Sequence, residues 1–286
     1  MSDTLTSDEA LLHEKALRLE KIICNMGSIL VAYSGGADST YLLSVAADVL
    51  GSRCVAATDE SVIYVPSDLR RARQMAVQLG VEHLTFTFDH LVREDFAANS
   101  PRRCYYCKRA LFEHLFEIAR ERDLQHVVDG SVVDDLGDYR PGMEACRELD
   151  VRSPLLEAGL TKAEVHQLAR QRGLPTADLP SMACLASRVP YGRRITGETL
   201  HQIAEAEAFL LQLGLVQVRV RHHGEIARIE VAPEQLDVLT AEPVRTQVVN
   251  RLVALGFRYC TVDLQGYRSG SMNEVLTEEG VAGDQL

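Results

Sequence analysis

The chain has 286 residues, 46% of them apolar, enough to bury a real core in one large domain or two unequal ones. A net charge of −11 demotes any reading in which the protein mainly grips tRNA or DNA, since that task calls for a large basic face. No apolar run approaches the roughly 18 residues of a membrane span, and residues 1–14 have neither the basic nor the apolar region of a signal peptide, so a cytoplasmic protein is expected.

In chain order, residues 8–26 predict an amphipathic helix with Leu11, Leu12, Ala16, Leu19, Ile22 and Ile23 on one side. Ile29 to Tyr33 reads as a buried strand, and a helix follows with Tyr41, Leu42, Val45, Ala46 and Val49 on one face. Residues 53–58 form a second strand, 66–80 a helix whose arginines Arg70, Arg71 and Arg73 face solvent, 81–88 a strand, 110–122 a helix and 126–130 a fourth strand. This alternation predicts an α/β fold with a doubly wound parallel sheet. Beyond Gly130 the chain reads as an acidic loop with Asp134, Asp135 and Asp138, either a cation site or a solvated surface loop. Thr161 with Glu164 forms a capping box at the start of a helix that ends at Gly173, and 174–180 is extended. After a helix at 198–213, residues 216–221 and 226–231 alternate as a hairpin around a turn at 222–225. Helices at 234–240 and 244–256 and a strand at 259–264 complete a small α+β domain. The expected division is 1–195, 196–274 and a disordered acidic tail from 275 to 286.

The chemistry concentrates first at Ser34-Gly-Gly-Ala-Asp-Ser39, between the first strand and its helix. Gly35 and Gly36 permit a tight turn and a close ligand approach. The free N–H groups and dipole of the helix start favour an anion there, and Ser34 and Ser39 add hydroxyls. Asp38 fits a phosphate site only if a cation accompanies the phosphates, as Mg²⁺ would. The spacing is neither Walker A nor GxGxxG; it resembles the pyrophosphate loop (PP-loop) of the ATP pyrophosphatases, which split ATP between its α and β phosphates and adenylate a substrate. That resemblance implies ATP at the strand ends, with Thr58 at the adenine edge and Gly130 beside the phosphates.

Seven cysteines, an odd number in such a chain, argue against a disulfide framework. Cys104 and Cys107 form Cys-x-x-Cys, and Cys184 lies far off in Cys-Leu-Ala-Ser-Arg188. A redox pair leaves Cys184 without a task, and a structural zinc lacks its other ligands. Three thiolates on two loops suit an iron–sulfur cluster with one open iron, and Cys184 alone would serve as a nucleophile or sulfur donor. Cys24, Cys54, Cys146 and Cys260 read as core fillers.

Those motifs, together with Arg140-Pro-Gly, Pro190-Tyr-Gly192 and Val218-Arg-Val-Arg-x-His-Gly224, resemble the ATP-dependent sulfur transferases that build the nickel-pincer nucleotide of lactate racemase, over roughly residues 10–272. The resemblance implies adenylation of pyridinium-3,5-biscarboxylic acid mononucleotide, release of pyrophosphate and conversion to a thiocarboxylate. The sulfur comes either from a sacrificial cysteine at Cys184, which becomes dehydroalanine, or from a 4Fe-4S cluster on Cys104, Cys107 and Cys184. The Cys-x-x-Cys favours the cluster. By the same resemblance, Ser187, Arg219 and Arg221 hold the substrate's phosphate, with exposed arginines on an edge hairpin as the alternative. Lys108 and Arg109 would bind anions or lower thiol pKa. A small-molecule nucleotide substrate, a sulfide or cysteine-desulfurase donor and a homo-oligomer are implied. The rivals are tRNA thiolation, which calls for a basic appendage, an amidotransferase synthetase, which calls for an ammonia supply, and a nucleotide- or metal-binding module that releases no pyrophosphate.

Overall fold

The structure, a computed structural model, describes residues 7–137, 141–180 and 182–268. Asp138, Arg140 and the 275–286 tail, which figured in the sequence reading, lie outside these. The elements in order are α1 (Ser7–Met26), β1 (Ile29–Ala32), α2 (Ala37–Leu50), β2 (Cys54–Asp59), α3 (Pro66–Gln78), β3 (Glu82–Phe86), α4 (Glu94–Ala97), α5 (Arg103–Glu121), β4 (His126–Val128), α6 (Pro141–Glu148), α7 (Pro154–Glu157), α8 (Lys162–Gln171), α9 (Gly197–Gln212), β5 (Arg219–His223), β6 (Ile226–Glu230), α10 (Leu236–Thr240), α11 (Val244–Ala254) and β7 (Tyr259–Val262).

Two compact units form. The first holds a parallel sheet in the order β3-β2-β1-β4. Alternate residues of its strands feed opposite faces. Ile29, Val31, Cys54 and Ala56 pack with Leu19, Ile23, Leu42, Ala72, Ala76, Val165 and Ala169 from α1, α2, α3 and α8. Leu30, Val55, Ala57 and Val127 pack with Phe112, Leu115 and Ala119 of α5 and Cys146 of α6. Helices thus cover both faces, which explains why β1 and residues 54–57 of β2 are apolar. The sheet is α/β and doubly wound, as the alternation predicted.

Among the described residues, the second unit comprises 62–65, 89–103 and 183–268. The division therefore falls near residue 183 rather than 195, and two segments from earlier in the chain join the later part. Asn99 is one cause. It is fully buried in a left-handed conformation (φ 58), and its amide donates to the carbonyls of Val189, Pro190 and Arg193 at 3.3, 2.8 and 2.9 Å. Ile195 N–H also donates to Ala97 C=O at 2.8 Å. No local pattern announces such ties.

The sheet of this unit runs β5-β6-β7, with β5/β6 antiparallel and β6/β7 parallel. One face, with Val220, Ala227 and Ile229, packs on Ala206 and Leu210 of α9 and Val248 and Leu252 of α11. Pairing of Arg219 with Glu230, Arg221 with Arg228 and His223 with Ile226 puts Arg219, Arg221, His223, Arg228 and Glu230 together on the other face. The first strand begins at Arg219, not Val216. Gln217 takes a positive φ of 50°, and Val216 N–H donates to the Gln235 side chain at 2.7 Å instead of a ladder partner.

Three other expectations are corrected. Cys104 and Cys107 sit in the first two turns of α5, which begins at Arg103 and not near residue 110. The stretch after Gly137 contains the helix α6. Cys24 is exposed, while Cys54 and Cys146 are buried as core fillers should be. The Thr161–Glu164 capping box forms as read. Among the described residues no helix is long and apolar enough to cross a membrane.

Candidate active site

In the first unit the Ser34–Ser39 turn joins β1 to α2, and a cavity of about 260 Å³ opens at the start of α2. Ala37, Asp38 and Ser39 occupy the first turn, where backbone N–H groups have no intrahelical acceptor. The Oγ atoms of Ser34 and Ser39 lie 3.0 Å apart at its edge. Gly35 has φ +76°, and a Cβ there would sit 2.8 Å from Ala72 Cβ and 3.0 Å from Ala72 Cα. It is glycine because the turn packs against the backbone of α3. Gly36 (φ −78°) has room for a Cβ, with nothing nearer than 3.5 Å, so its open side faces the cavity. At Gly130 a Cβ would stand 3.0 Å from Ser39 N and 3.2 Å from Ser39 Cα, so the end of β4 can approach α2 only as glycine.

Charged groups converge on this cavity. Asp38, Asp129, Asp135, Lys108, Lys162 and His166 line it with Met182. Asp38 Oδ1 and His166 Nε2 are buried and have no hydrogen-bond partner. An orphaned buried carboxylate oxygen costs folding free energy unless something absent from the bare chain completes it. Burial pushes the Asp38 pKa up, and Asp135 and Asp134 add to this against the opposing charges of Lys162 and His166. Asp38 Oδ1 therefore fits a divalent cation of the kind that accompanies phosphates.

Asp129, buried at the end of β4, is satisfied by its own surroundings: Oδ1 accepts from Ser153 Oγ at 2.7 Å and Ser131 N at 3.1 Å, Oδ2 from Ser131 Oγ at 2.7 Å. Of the acidic-loop residues, Asp135 lines the cavity and accepts from Val132 N–H, while Asp134 accepts the Lys162 N–H at 2.8 Å. Thr58 is buried, donates to Tyr33 C=O at 2.7 Å and lies 2.7 Å from His83 Nε2, so its hydroxyl is already engaged. Since Thr58 donates to Tyr33, His83 supplies the proton of the second bond and is the Nε2–H tautomer.

Lys108 links the cavity to the cysteine helix. Its stem runs through the notch left by Gly142, where a Cβ would come within 2.9 Å of Lys108 Cγ. Burial disfavours its charge, but Cys146, Asp129, Cys107 and Cys104 outweigh burial and hold its pKa above the ordinary lysine value. Cys104 and Cys107, three apart on one helix, share a face, and both are half-buried. Arg109 instead binds Glu113, Glu148 and Tyr105. Arg71, expected in solvent, reaches Gly35 C=O at 3.4 Å and Met182 Sδ at 3.1 Å.

In the second unit Cys184 precedes a 3₁₀ turn, Leu185–Arg188, whose carbonyls are held by three buried arginines. Arg188 donates to Ala183 and Cys184 C=O (2.7 and 2.9 Å), Arg103 to Ala186 C=O (3.0 Å) and Arg221 to Ser187 C=O (3.2 Å). Ser187 Oγ also donates to Cys184 C=O at 2.7 Å. Arg188 is anchored bidentately on Glu207 at 2.9 and 3.0 Å, and Arg221 on Glu230 at 2.9 and 2.7 Å. Arg219 lies with its guanidinium carbon 5.1 Å from the Tyr267 ring centre, and burial, Arg188 and Arg221 lower its pKa. The strand-face pair Arg219 and Arg221 is thus present, but the Arg221 fork is committed to Glu230 and the turn. None of the seven cysteines forms a disulfide, and among the described residues no group of three or more His, Cys, Asp or Glu is gathered so as to hold a metal ion.

Lys162, His166 and Asp129 escaped the sequence reading. Lys162 and His166 are four apart on α8, and that spacing beside the apolar Val165, Leu168 and Ala169 was the available signal.

A parallel sheet carrying a Ser-Gly-Gly-Ala-Asp-Ser turn at the cavity beyond its strand ends defines a PP-loop protein of the ATP pyrophosphatase type. No family model matches the chain. It is 36% identical over 275 residues to pyridinium-3,5-bisthiocarboxylic acid mononucleotide synthase of Lactiplantibacillus plantarum, covering 96% of this chain and 99% of that one. It is 40% identical over 268 residues to an uncharacterized Synechocystis protein (94% and 100% covered), and 29% identical over 189 residues to a Bradyrhizobium tRNA-specific 2-thiouridylase (52% and 47%). The chain belongs to the pyridinium-3,5-bisthiocarboxylic acid mononucleotide synthase family.

Proposed function

We propose that the protein is an ATP-dependent sulfurtransferase that adenylates a carboxylate of pyridinium-3,5-biscarboxylic acid mononucleotide and converts it to a thiocarboxylate. The observation that carries this reading is the cavity at the start of α2, with an orphaned Asp38 oxygen and Lys108, Lys162 and His166 around it. A substrate carboxylate oxygen attacks the α-phosphorus of ATP, the bond to the β-phosphate oxygen breaks, and pyrophosphate leaves. The N–H groups of Ala37, Asp38 and Ser39 and the two lysines take up the charge of the departing group. Asp38 would hold Mg²⁺ against the phosphates, and that ion would supply further charge neutralisation. A sulfur nucleophile then attacks the acyl carbon and AMP departs. Family membership supports this reading, since the Lactiplantibacillus relative is a pyridinium-3,5-bisthiocarboxylic acid mononucleotide synthase.

For the sulfur source, the thiols of Cys104, Cys107 and Cys184 suit a 4Fe-4S cluster by donor chemistry, with Lys108 offsetting thiolate charge on α5. Such a cluster would supply sulfide and permit repeated turnover. The second reading is that Cys184 gives up its own sulfur and becomes dehydroalanine. Iron and acid-labile sulfide, measured in anaerobically purified wild type and Cys104→Ala, separate the two. Equal iron and sulfide, lost in the mutant, support the cluster. No iron after reconstitution, with one H₂S missing from the chain mass after reaction, supports the sacrificial cysteine. Neither result together with an active enzyme would remove all three cysteines from the mechanism.

A further inference from the structure

Two residues that line the first unit's cavity each bring a buried atom without a hydrogen-bond partner, Asp38 Oδ1 and His166 Nε2. They ride on different helices that share one core. Leu42 and Ala46 of α2 pack with Val165 and Ala169 of α8, so both side chains project from fixed backbone. The start of α8 is held further. Its capping box is in place, Lys15 Nζ donates to both Glu164 oxygens at 2.7 and 2.9 Å, and Asp134 accepts the Lys162 N–H at 2.8 Å. His166 lies one turn beyond Lys162 on α8, and both counter the charge of Asp38.

The two nitrogens of the His166 ring have different surroundings. Nδ1 makes no hydrogen bond among the described residues and is not a buried atom, so water reaches it and serves it as donor or acceptor. Nε2 is buried, and buried N–H groups without an acceptor are rarer in proteins than buried acceptors left unpaired. The ring proton therefore belongs on Nδ1, and Nε2 offers a lone pair. Asp38 Oδ1 offers another. Two lone pairs at one cavity call for an electron-pair acceptor, which a phosphate oxygen is not. The neighbouring carboxylates are engaged: Asp129 by Ser131 and Ser153, Asp135 by the Val132 N–H, Asp134 by the Lys162 N–H.

We infer that His166 Nε2 joins Asp38 Oδ1 as a ligand of the divalent cation at this cavity, and that the site holds Mn²⁺ more tightly than Mg²⁺. An imidazole ligand favours a transition metal over Mg²⁺, whose preferred partners are oxygens. Two protein ligands leave the remaining positions to phosphate oxygens and water, as is usual for a cation carried by a nucleotide. That the nucleotide is ATP rests on the function proposed above; the ligand pair rests on the residues of the cavity alone.

The test uses the full chain, Mn²⁺ as the probe and α,β-methylene-ATP, which cannot release pyrophosphate. Electron spin-echo envelope modulation of the bound Mn²⁺ reads nitrogens in its coordination shell, and labelling histidine alone with ¹⁵N separates imidazole from adenine. The expected spectrum carries a nitrogen coupling that changes its isotope pattern with the label. It is lost in His166→Gln and stays in His201→Gln, which alters an exposed histidine on α9. Mn²⁺ should bind the wild type at least about tenfold more tightly than Mg²⁺, and His166→Gln should close most of that gap. Bound Mn²⁺ without a histidine coupling, a coupling that survives His166→Gln, or no Mn²⁺ bound at all would overturn the proposal. The wild-type spectrum with and without the label already decides whether a histidine is a ligand, whatever the variant does to folding. AMP formation from ATP is assayed separately, so a histidine-bound Mn²⁺ in a protein that makes no AMP would sink the proposed activity and leave this ligand pair standing.

Discussion

Replacing Gly35 by alanine separates what the turn needs for folding from what it needs for binding. Gly35 sits at φ +76°, where a non-glycine residue costs about 1–2 kcal/mol. Its Cβ would also press on the Ala72 backbone, with Cβ, Cα and N of Ala72 at 2.8, 3.0 and 3.1 Å, all within contact-breaking or very tight range. Backbone cannot swing aside as a side chain end can, so overpacking adds roughly 1–3 kcal/mol. Together about 2–5 kcal/mol should be lost from the first unit, which at ~2–4 °C per kcal/mol lowers its Tm by roughly 4–20 °C. Gly36→Ala is the internal control: at φ −78° its Cβ meets Met182 Sδ and Ser34 Oγ at an ordinary 3.5 Å. It should cost no more than the ~1 kcal/mol of a poorer helix N-cap, yet weaken ATP binding because the added methyl faces the cavity. Thermal unfolding of both variants, followed through the transition that ATP and Mg²⁺ raise, reads the comparison. Equal stability of the two would refute the argument that Gly35 is fixed by α3.

Other expectations follow from the same contacts. Asp38→Asn should raise the stability of the ligand-free protein above pH 4, since burial disfavours the carboxylate, while abolishing the Mg²⁺-dependent part of the ATP-induced Tm shift. A lower ligand-free Tm would contradict it. Glu230→Gln leaves the buried Arg221 without its counter-charge and should cost about 3–5 kcal/mol in denaturant unfolding, against under ~0.5 kcal/mol for Arg245→Ala at the surface. Burial opposes ionisation of Glu164, but Lys15 and Thr161 outweigh it and hold its pKa below the ordinary carboxylate value. A lowered folded-state pKa stabilises above the unfolded value and is lost as pH falls through the folded one. Glu164→Gln should therefore destabilise at neutral pH, and its gap from wild type should close in acid below about pH 4.5 in a Tm series.

What the sequence revealed was what local physics determines. The β1 turn and α2 were legible because an apolar run, two glycines and a helical stripe are contiguous, and Thr161 with Glu164 forms its capping box within four residues. The start of α5 was not, because Arg103-Cys-Tyr-Tyr-Cys-Lys108 lacks apolar periodicity: Tyr105 is buried by packing and bonds Glu148, far along the chain. Helix α6 hid behind Pro141-Gly142, which reads as a turn until the Lys108 stem explains the glycine. The ties of 89–103 to the second unit are long-range, the Asn99 amide, the Ile195 N–H on Ala97 C=O and Arg103 on Ala186 C=O among them. At Arg219 and Arg221 the strand-face pairing was readable, but the fate of the charges was not. It depends on the cross-strand register that delivers Glu230 and on the Cys184 turn above.

The central claim is cleavage of ATP between its α and β phosphates to activate a pyridinium carboxylate. The most direct measurement incubates the protein with Mg²⁺, pyridinium-3,5-biscarboxylic acid mononucleotide and ATP labelled in its α or γ phosphate, and identifies the labelled products and the mass of the pyridinium. AMP and pyrophosphate formed only when the mononucleotide is present, with one carboxylate oxygen replaced by sulfur, is the predicted result. ADP and inorganic phosphate, or product formation indifferent to the mononucleotide, would contradict the account.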